Sequence, residues 1–166
     1  MRPAMSAEAD AAIEIALAND LREIAAAAAR IDAFCAGRGI SPDTAYAVNL
    51  AIEELLANTI AYGYRDEHPH RIEIVLRQEA DTLVVAIVDD AAPFDPTRAN
   101  EPDATASPGE ETEDRELGGL GLLLVNRMMD GVEYQRRAGC NVVILTKAAR
   151  GADPEDGDPP GLTTAQ

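Results

Sequence analysis

The chain has 166 residues, 46% apolar but only 4% aromatic and with no Trp, so it supports one core built from Ala, Val, Ile and Leu. Thirty acidic residues against fourteen basic ones give a net charge of −16, which repels phosphate backbones and anionic lipid and excludes nucleic-acid binding through a basic face. Cys35 and Cys140 lack both C-x-x-C spacing and metal-ligand company, so the expected setting is a reduced cytoplasm, with neither a disulfide framework, a zinc site nor a membrane span.

In chain order, 1–11 reads as an N-terminal extension and Ala12–Ala16 as a short first strand. Asn19 or Asp20 caps a first helix with Leu21, Ile24, Ala28, Ile31 and Cys35 on one stripe, ending near Gly37 and Gly39. Ser41-Pro42 opens a second helix that runs to about Gly63, with Val48, Ile52, Leu55, Leu56 and Thr59 as its core face. A polar link follows, in which His68 and His70 are expected to face solvent. Arg71–Arg77 and Asp81–Val88 form a predicted hairpin.

From Asp95 to Glu116 eight acids meet two bases, a segment too polar to pack and read as a lid, over 97–117, or a binding loop. A helix is predicted over Gly119–Met129, then a second hairpin, Val132–Arg136 and Cys140–Thr146, turning at Ala138-Gly139. The tail from 150 to 166 is acidic, rich in Pro and Gly, and expected to be disordered. The order β-α-α-β-β-loop-α-β-β, without strict βαβ alternation, predicts an α+β fold. It would be a two-layer α/β sandwich with helices on one face of a mixed, mostly antiparallel sheet.

Three constellations carry possible chemistry. On the second helix Leu50, Glu54, Asn58 and Tyr62 lie four apart in one row beside the core stripe. Glu54 and Asn58 there are either a solvated edge or a working pair, with Asn58 offering an amide oxygen to Mg²⁺ and Glu54 acting on a hydroxyl. An apolar strand next delivers Asp89 to a small-residue turn ending at Phe94; this is either plain turn chemistry or an acceptor for the exocyclic amine of adenine. Finally Gly118, Gly119 and Gly121 open an apolar helix, as a simple loop-to-helix turn or as a phosphate cradle at a helix N-terminus.

Taken in order, Glu54-x-x-x-Asn58, Asp89-x-Ala91 thirty-one residues after Asn58, and Gly118-Gly119-x-Gly121 resemble the N, G1 and G2 boxes of the GHKL ATPase superfamily. Leu50 to Asn58, Ala61-Tyr-Gly-Tyr64 and Pro93-Phe-Asp-Pro96 resemble, more narrowly, the stand-alone anti-sigma-factor serine kinases. That resemblance implies a Bergerat ATP-binding fold over 12–149, ATP and Mg²⁺ as cofactors, Mg²⁺ held by Asn58, and Glu54 as the catalytic base toward a protein serine. It places adenine on Asp89 beside Ala91 and Phe94, and the phosphates near Gly118, Gly119, Gly121 and Arg115. It also implies a STAS-type anti-anti-sigma antagonist and a sigma factor as partners, and a homodimer. In the resembling motif a glycine stands where this chain has Ala91, so if the backbone there needs φ > 0 or close contact with the base, the methyl costs about 1 kcal/mol or blocks the approach. A histidine autokinase is excluded because His68 and His70 both follow the Asn box, and gyrase-like relatives need a second domain for which there is no length. The rival reading is a binding module that keeps the fold and sequesters a partner without phosphorylating it.

Overall fold

In the computed structural model, residues 12–98 and 113–150 are described, the side chains of 113–118 excepted. The elements are β1 (Ala12–Ala18), α1 (Ile24–Gly37), α2 (Pro42–Tyr62), β2 (Arg71–Glu79), β3 (Thr82–Asp89), α3 (Glu113–Met128), β4 (Gly131–Arg137) and β5 (Cys140–Ala148). The strands form one sheet in the order β1-β2-β3-β5-β4, and every pairing is antiparallel, so no parallel pair is needed to build the expected sandwich. The extension 1–11, the central part of the acidic lid (99–112) and the tail 151–166 lie outside the described residues.

Period-2 alternation sends one set of side chains from each strand to the helical side. Ile72, Ile74 and Leu76 of β2, Leu83 of β3 and Leu145 of β5 are fully buried there. They form one cluster with Ile31 of α1, Val48 and Leu56 of α2, and Val125 of α3. Both hairpins turn where expected. Arg137 pairs with Cys140 around Ala138 and Gly139, whose φ of 48° and 82° give the doubly left-handed two-residue turn that matches strand twist.

Three expectations shift. On α1 the buried stripe is Ile24, Ala27, Ile31 and Cys35, while Leu21 is 56% exposed. Asp20 caps a 3-10 turn over Leu21–Glu23, whose tighter winding breaks the phase between Leu21 and the helix. On α2 Thr59 leaves the core face and lines a cavity that also takes in Ile87, Asp89, Asn141 and Val143 of the sheet. The third helix begins at Glu113 rather than Gly119, so Gly118, Gly119 and Gly121 lie inside it. Good helix formers at 113–117 extend it upstream. Burial of Leu122 and Val125 anchors it, offsetting a glycine penalty of about 1 kcal/mol each.

The N-terminus of α2 is stapled to the C-terminal end of β5. Ser41 Oγ accepts from Thr44 N at 3.2 Å, Thr44 Oγ1 donates to Ala148 O at 3.0 Å, and Ser41 N donates to Ala149 O at 3.1 Å. Removing the cap by Ser41→Ala should lower stability by about 1 kcal/mol in urea denaturation, with the denaturant slope unchanged.

Candidate nucleotide site

Alternation along β3 carries Leu83, Val85 and Ile87 to the core side and, two residues on, Asp89, which is only 4% exposed. A carboxylate so placed needs partners. Asn141, its direct neighbour on β5, supplies one: Asn141 Nδ2 donates to Asp89 Oδ1 at 2.7 Å, and Ala91 N donates to the same oxygen at 3.0 Å. Burial pushes the Asp89 carboxyl above its ordinary pKa, opposed by the Asn141 amide, the Ala91 N–H and the Arg136 charge. Both bonds end on Oδ1, which leaves Oδ2 as the acceptor a ligand can use.

The Asn141 amide oxygen is itself held, accepting from Tyr134 Oη at 2.8 Å and Arg136 Nη1 at 2.7 Å. Arg136 Nη1 also donates to Ala91 O at 2.7 Å, and Asn141 Nδ2 to Ala92 O at 3.1 Å. The turn after Asp89 is therefore pinned from β4 and β5.

Asp89 forms the floor of a cavity of about 440 Å³, between the C-terminal end of α2, the 91–96 turn and α3. That volume suits a small-molecule ligand. Of the residues singled out from sequence, Asn58, Asp89, Ala91, Phe94 and Gly119 line it together. Among the described residues Asn58 Nδ2 is buried without a partner, and a half-turn of the amide would put its oxygen in the same place. An unsatisfied amide in a cavity floored by a carboxylate fits a polar ligand or a cation, and in that respect the residues present suit Mg-ATP. Phe94 stands at the rim, 52% exposed.

Glu54 is not in the cavity lining. It sits one turn earlier on α2, half-buried, against α3: a Cβ at Gly121 would overlap Glu54 Oε2. A side chain at 121 would displace the Glu54 carboxylate from its place against α3. Gly118 and Arg115 fall in the stretch of α3 whose side chains are not described.

Ala91 is not strained. Among the described non-glycine residues only Ala80 and Ala138 have positive φ. Its methyl lies against Gly63, the α2 C-cap, where an added Cβ would stand 2.7 Å from Ala91 Cβ and 2.5 Å from Thr59 O.

Sequence reasoning did not single out Asn141, Arg136 and Tyr134. Their signal was parity: Asn141 alternates with Val143 and Leu145, so a polar residue stands at a core-facing strand position. His70, expected to face solvent, is 20% exposed and bonded to Asp66 and Asp90.

Residues 17–147 match the family of histidine kinase-like ATPase domains. The chain is 34% identical over 101 residues to the serine/threonine-protein kinase BtrW of Bordetella bronchiseptica, covering 61% of this chain and 68% of that one. It is 26% identical over 119 residues to the serine-protein kinase RsbW of Bacillus velezensis, covering 72% and 74%. Among solved structures, the RsbU and RsbW domains of a Mycobacterium tuberculosis protein superpose with a TM-score of 0.56 at 13% identity, over 86% of this chain and 34% of that one. That likeness shows the fold, a Bergerat-type sandwich.

Replacing Asn141 by Leu removes one of the two donors to the buried Asp89 Oδ1 and leaves only the Ala91 amide. Urea denaturation at neutral pH should show a loss of about 1–3 kcal/mol, and the loss should shrink at acid pH, where Asp89 is protonated.

Proposed function

The chain belongs to the histidine kinase-like ATPase domain family and is a serine/threonine-protein kinase, and from that premise we propose that it phosphorylates a serine of a small antagonist protein in a partner-switching system. The observation that carries this reading is the cavity in which Asp89 offers one uncommitted oxygen while Asn58 offers an unpartnered buried amide. In this reading Asp89 Oδ2 accepts the exocyclic amine of adenine, with Ala91, Phe94 and the apolar walls covering the ring. Asn58 holds Mg²⁺, which when bound neutralises charge on the phosphates of ATP. Glu54 takes the proton from the acceptor serine hydroxyl, one helical turn from Asn58. Gly118, Gly119, Gly121 and Arg115 contribute from the first turns of α3 to the phosphate end, which requires that part of the helix to open.

The domain so defined spans 12–149 with a lid over 97–117; the extension and the acidic tail flank it. Its partners are a STAS-type anti-anti-sigma antagonist and a sigma factor, the protein is a homodimer, and it works in the cytoplasm. None of the helices described is long and apolar enough to cross a membrane. The feature that favoured a non-catalytic binding module was Ala91; its φ is not positive, which answers the strain half of that argument, and the ATP-affinity measurement below answers the half that concerns close approach of the base.

Incubation with Mg²⁺, labelled ATP and a candidate antagonist tests the proposal. Label on an antagonist serine is the expected result, whereas tight antagonist binding with no label overturns it. Glu54→Gln should slow transfer by about 10²-fold or more and leave nucleotide affinity unchanged, read by kinase assay and calorimetry side by side. Asp89→Asn keeps an acceptor toward Asn141 but turns a donor to the cavity. ATP affinity should fall by about tenfold or more, with the nucleotide-free melting temperature nearly unchanged.

A further inference from the structure

The proposed adenine acceptor is braced from a second side. His70, at the entry to β2, has Nδ1 3.0 Å from Asp90 Oδ2 and Nε2 2.9 Å from Asp66 Oδ1. Two carboxylates can both accept only if both ring nitrogens carry protons, so this geometry is that of an imidazolium. The Tyr64 ring stacks on it, centroids 4.3 Å apart and planes at 22°. The backbone of His70 is fixed independently: its N–H donates to Asn19 Oδ1 at 2.9 Å and its carbonyl accepts from Asn19 N at 3.1 Å. The ring is therefore a stationary post between the α2–β2 link and the residue that follows Asp89.

We propose that protonated His70 is a positioning residue that holds the Asp89–Ala91 turn through Asp90, so that nucleotide affinity falls as His70 loses its proton. This rests on the nucleotide reading of the cavity. Arg136 and Asn141 hold the same turn from β4 and β5, through a guanidinium and a carboxamide. His70 is the hold that can be released.

The charged and titratable groups facing the ring are Asp66 from the α2–β2 link, Asp90 from the end of β3 and the Tyr64 phenol. His68 lies across the link beside Asp66, and Asp89 lies behind Asp90. The hydrogen bond to Asp66, then that to Asp90, holds the His70 pKa above its ordinary value. The His70 bond holds Asp66 below the usual carboxylate range. Burial, then Asp89 and Asp90, raises the Tyr64 phenol, so it stays neutral. The sign follows: with a raised folded-state pKa, the brace is fully present below the unfolded value of about 6.5 and is lost as pH rises through the folded one.

The test compares ATP affinity of the wild type and His70→Gln by calorimetry between about pH 6 and pH 9. Relative to the variant, which has no imidazole to titrate, the wild type should lose roughly threefold in affinity across the range, the scale of a half-exposed ion pair. Asp90→Asn should abolish that difference, and Asp66→Asn should keep it but move its midpoint to lower pH. Parallel wild-type and His70→Gln profiles would overturn the proposal, since a merely structural histidine shifts both ends equally. If ATP binds at no pH, the nucleotide reading fails, and NMR of the nucleotide-free protein still decides the brace. An Ala91 amide signal that follows the His70 titration supports it, and one that ignores that titration overturns it.

Discussion

A carboxylate at the inner end of an apolar strand is unfavourable unless its charge is met by hydrogen bonds, and the site is organised around meeting it for Asp89. The bond from Asn141 does more than compensate. By occupying Oδ1 together with the Ala91 amide, it decides which oxygen remains for a ligand and fixes the turn that forms one cavity wall. Tyr134 and Arg136 orient the Asn141 amide, so two strands of a hairpin are committed to one acceptor. An apolar pair at 89 and 141 would satisfy the sheet equally well, which is why a polar pair there points to binding.

Most of the architecture was readable because its signals are local. Ser41-Pro42, the Ala138-Gly139 turn and the alternation in β2, β3 and β5 each specify an element from a few residues. What was not readable depended on register or on distance. The Leu21 phase error came from a 3-10 turn that a periodicity of 3.6 does not anticipate. The early start of α3 came from helix formers at 113–117 continuing through Gly118, Gly119 and Gly121, glycines that read from sequence as a break. In the site, Asn58 and Asp89 were visible as polar residues beside apolar patterns. Asn141 acquires meaning only once the register sets it opposite Asp89, and His70 only once Asp66 and Asp90 flank it.

Two glycines show how closely the layers approach. Gly63 lets the end of α2 settle on the Ala91 methyl, and Ala92 N donates to Gly63 O at 2.9 Å across the same seam. Gly121 lets α3 pass over the Glu54 carboxylate. The first seam is static and shapes the cavity. The second joins the proposed base to the helix that follows the lid, so the environment of Glu54 changes with any rearrangement of that helix. Asn126, donating to Leu122 O at 2.9 Å and Pro96 O at 3.1 Å, ties the later turns of α3 to the segment before the lid and confines such rearrangement to its first turns.

The sequence separation of 52 between Asp89 and Asn141 also bears on how the protein folds. β2 and β3 can zip from a tight turn within microseconds, but β3 meets β5 only after a long, largely polar excursion has been closed. Until that late pairing, Asp89 would remain hydrated at the edge of an unfinished sheet. Ligand competence therefore marks completion of the whole sheet, and an intermediate lacking the last hairpin would be unable to pass as mature.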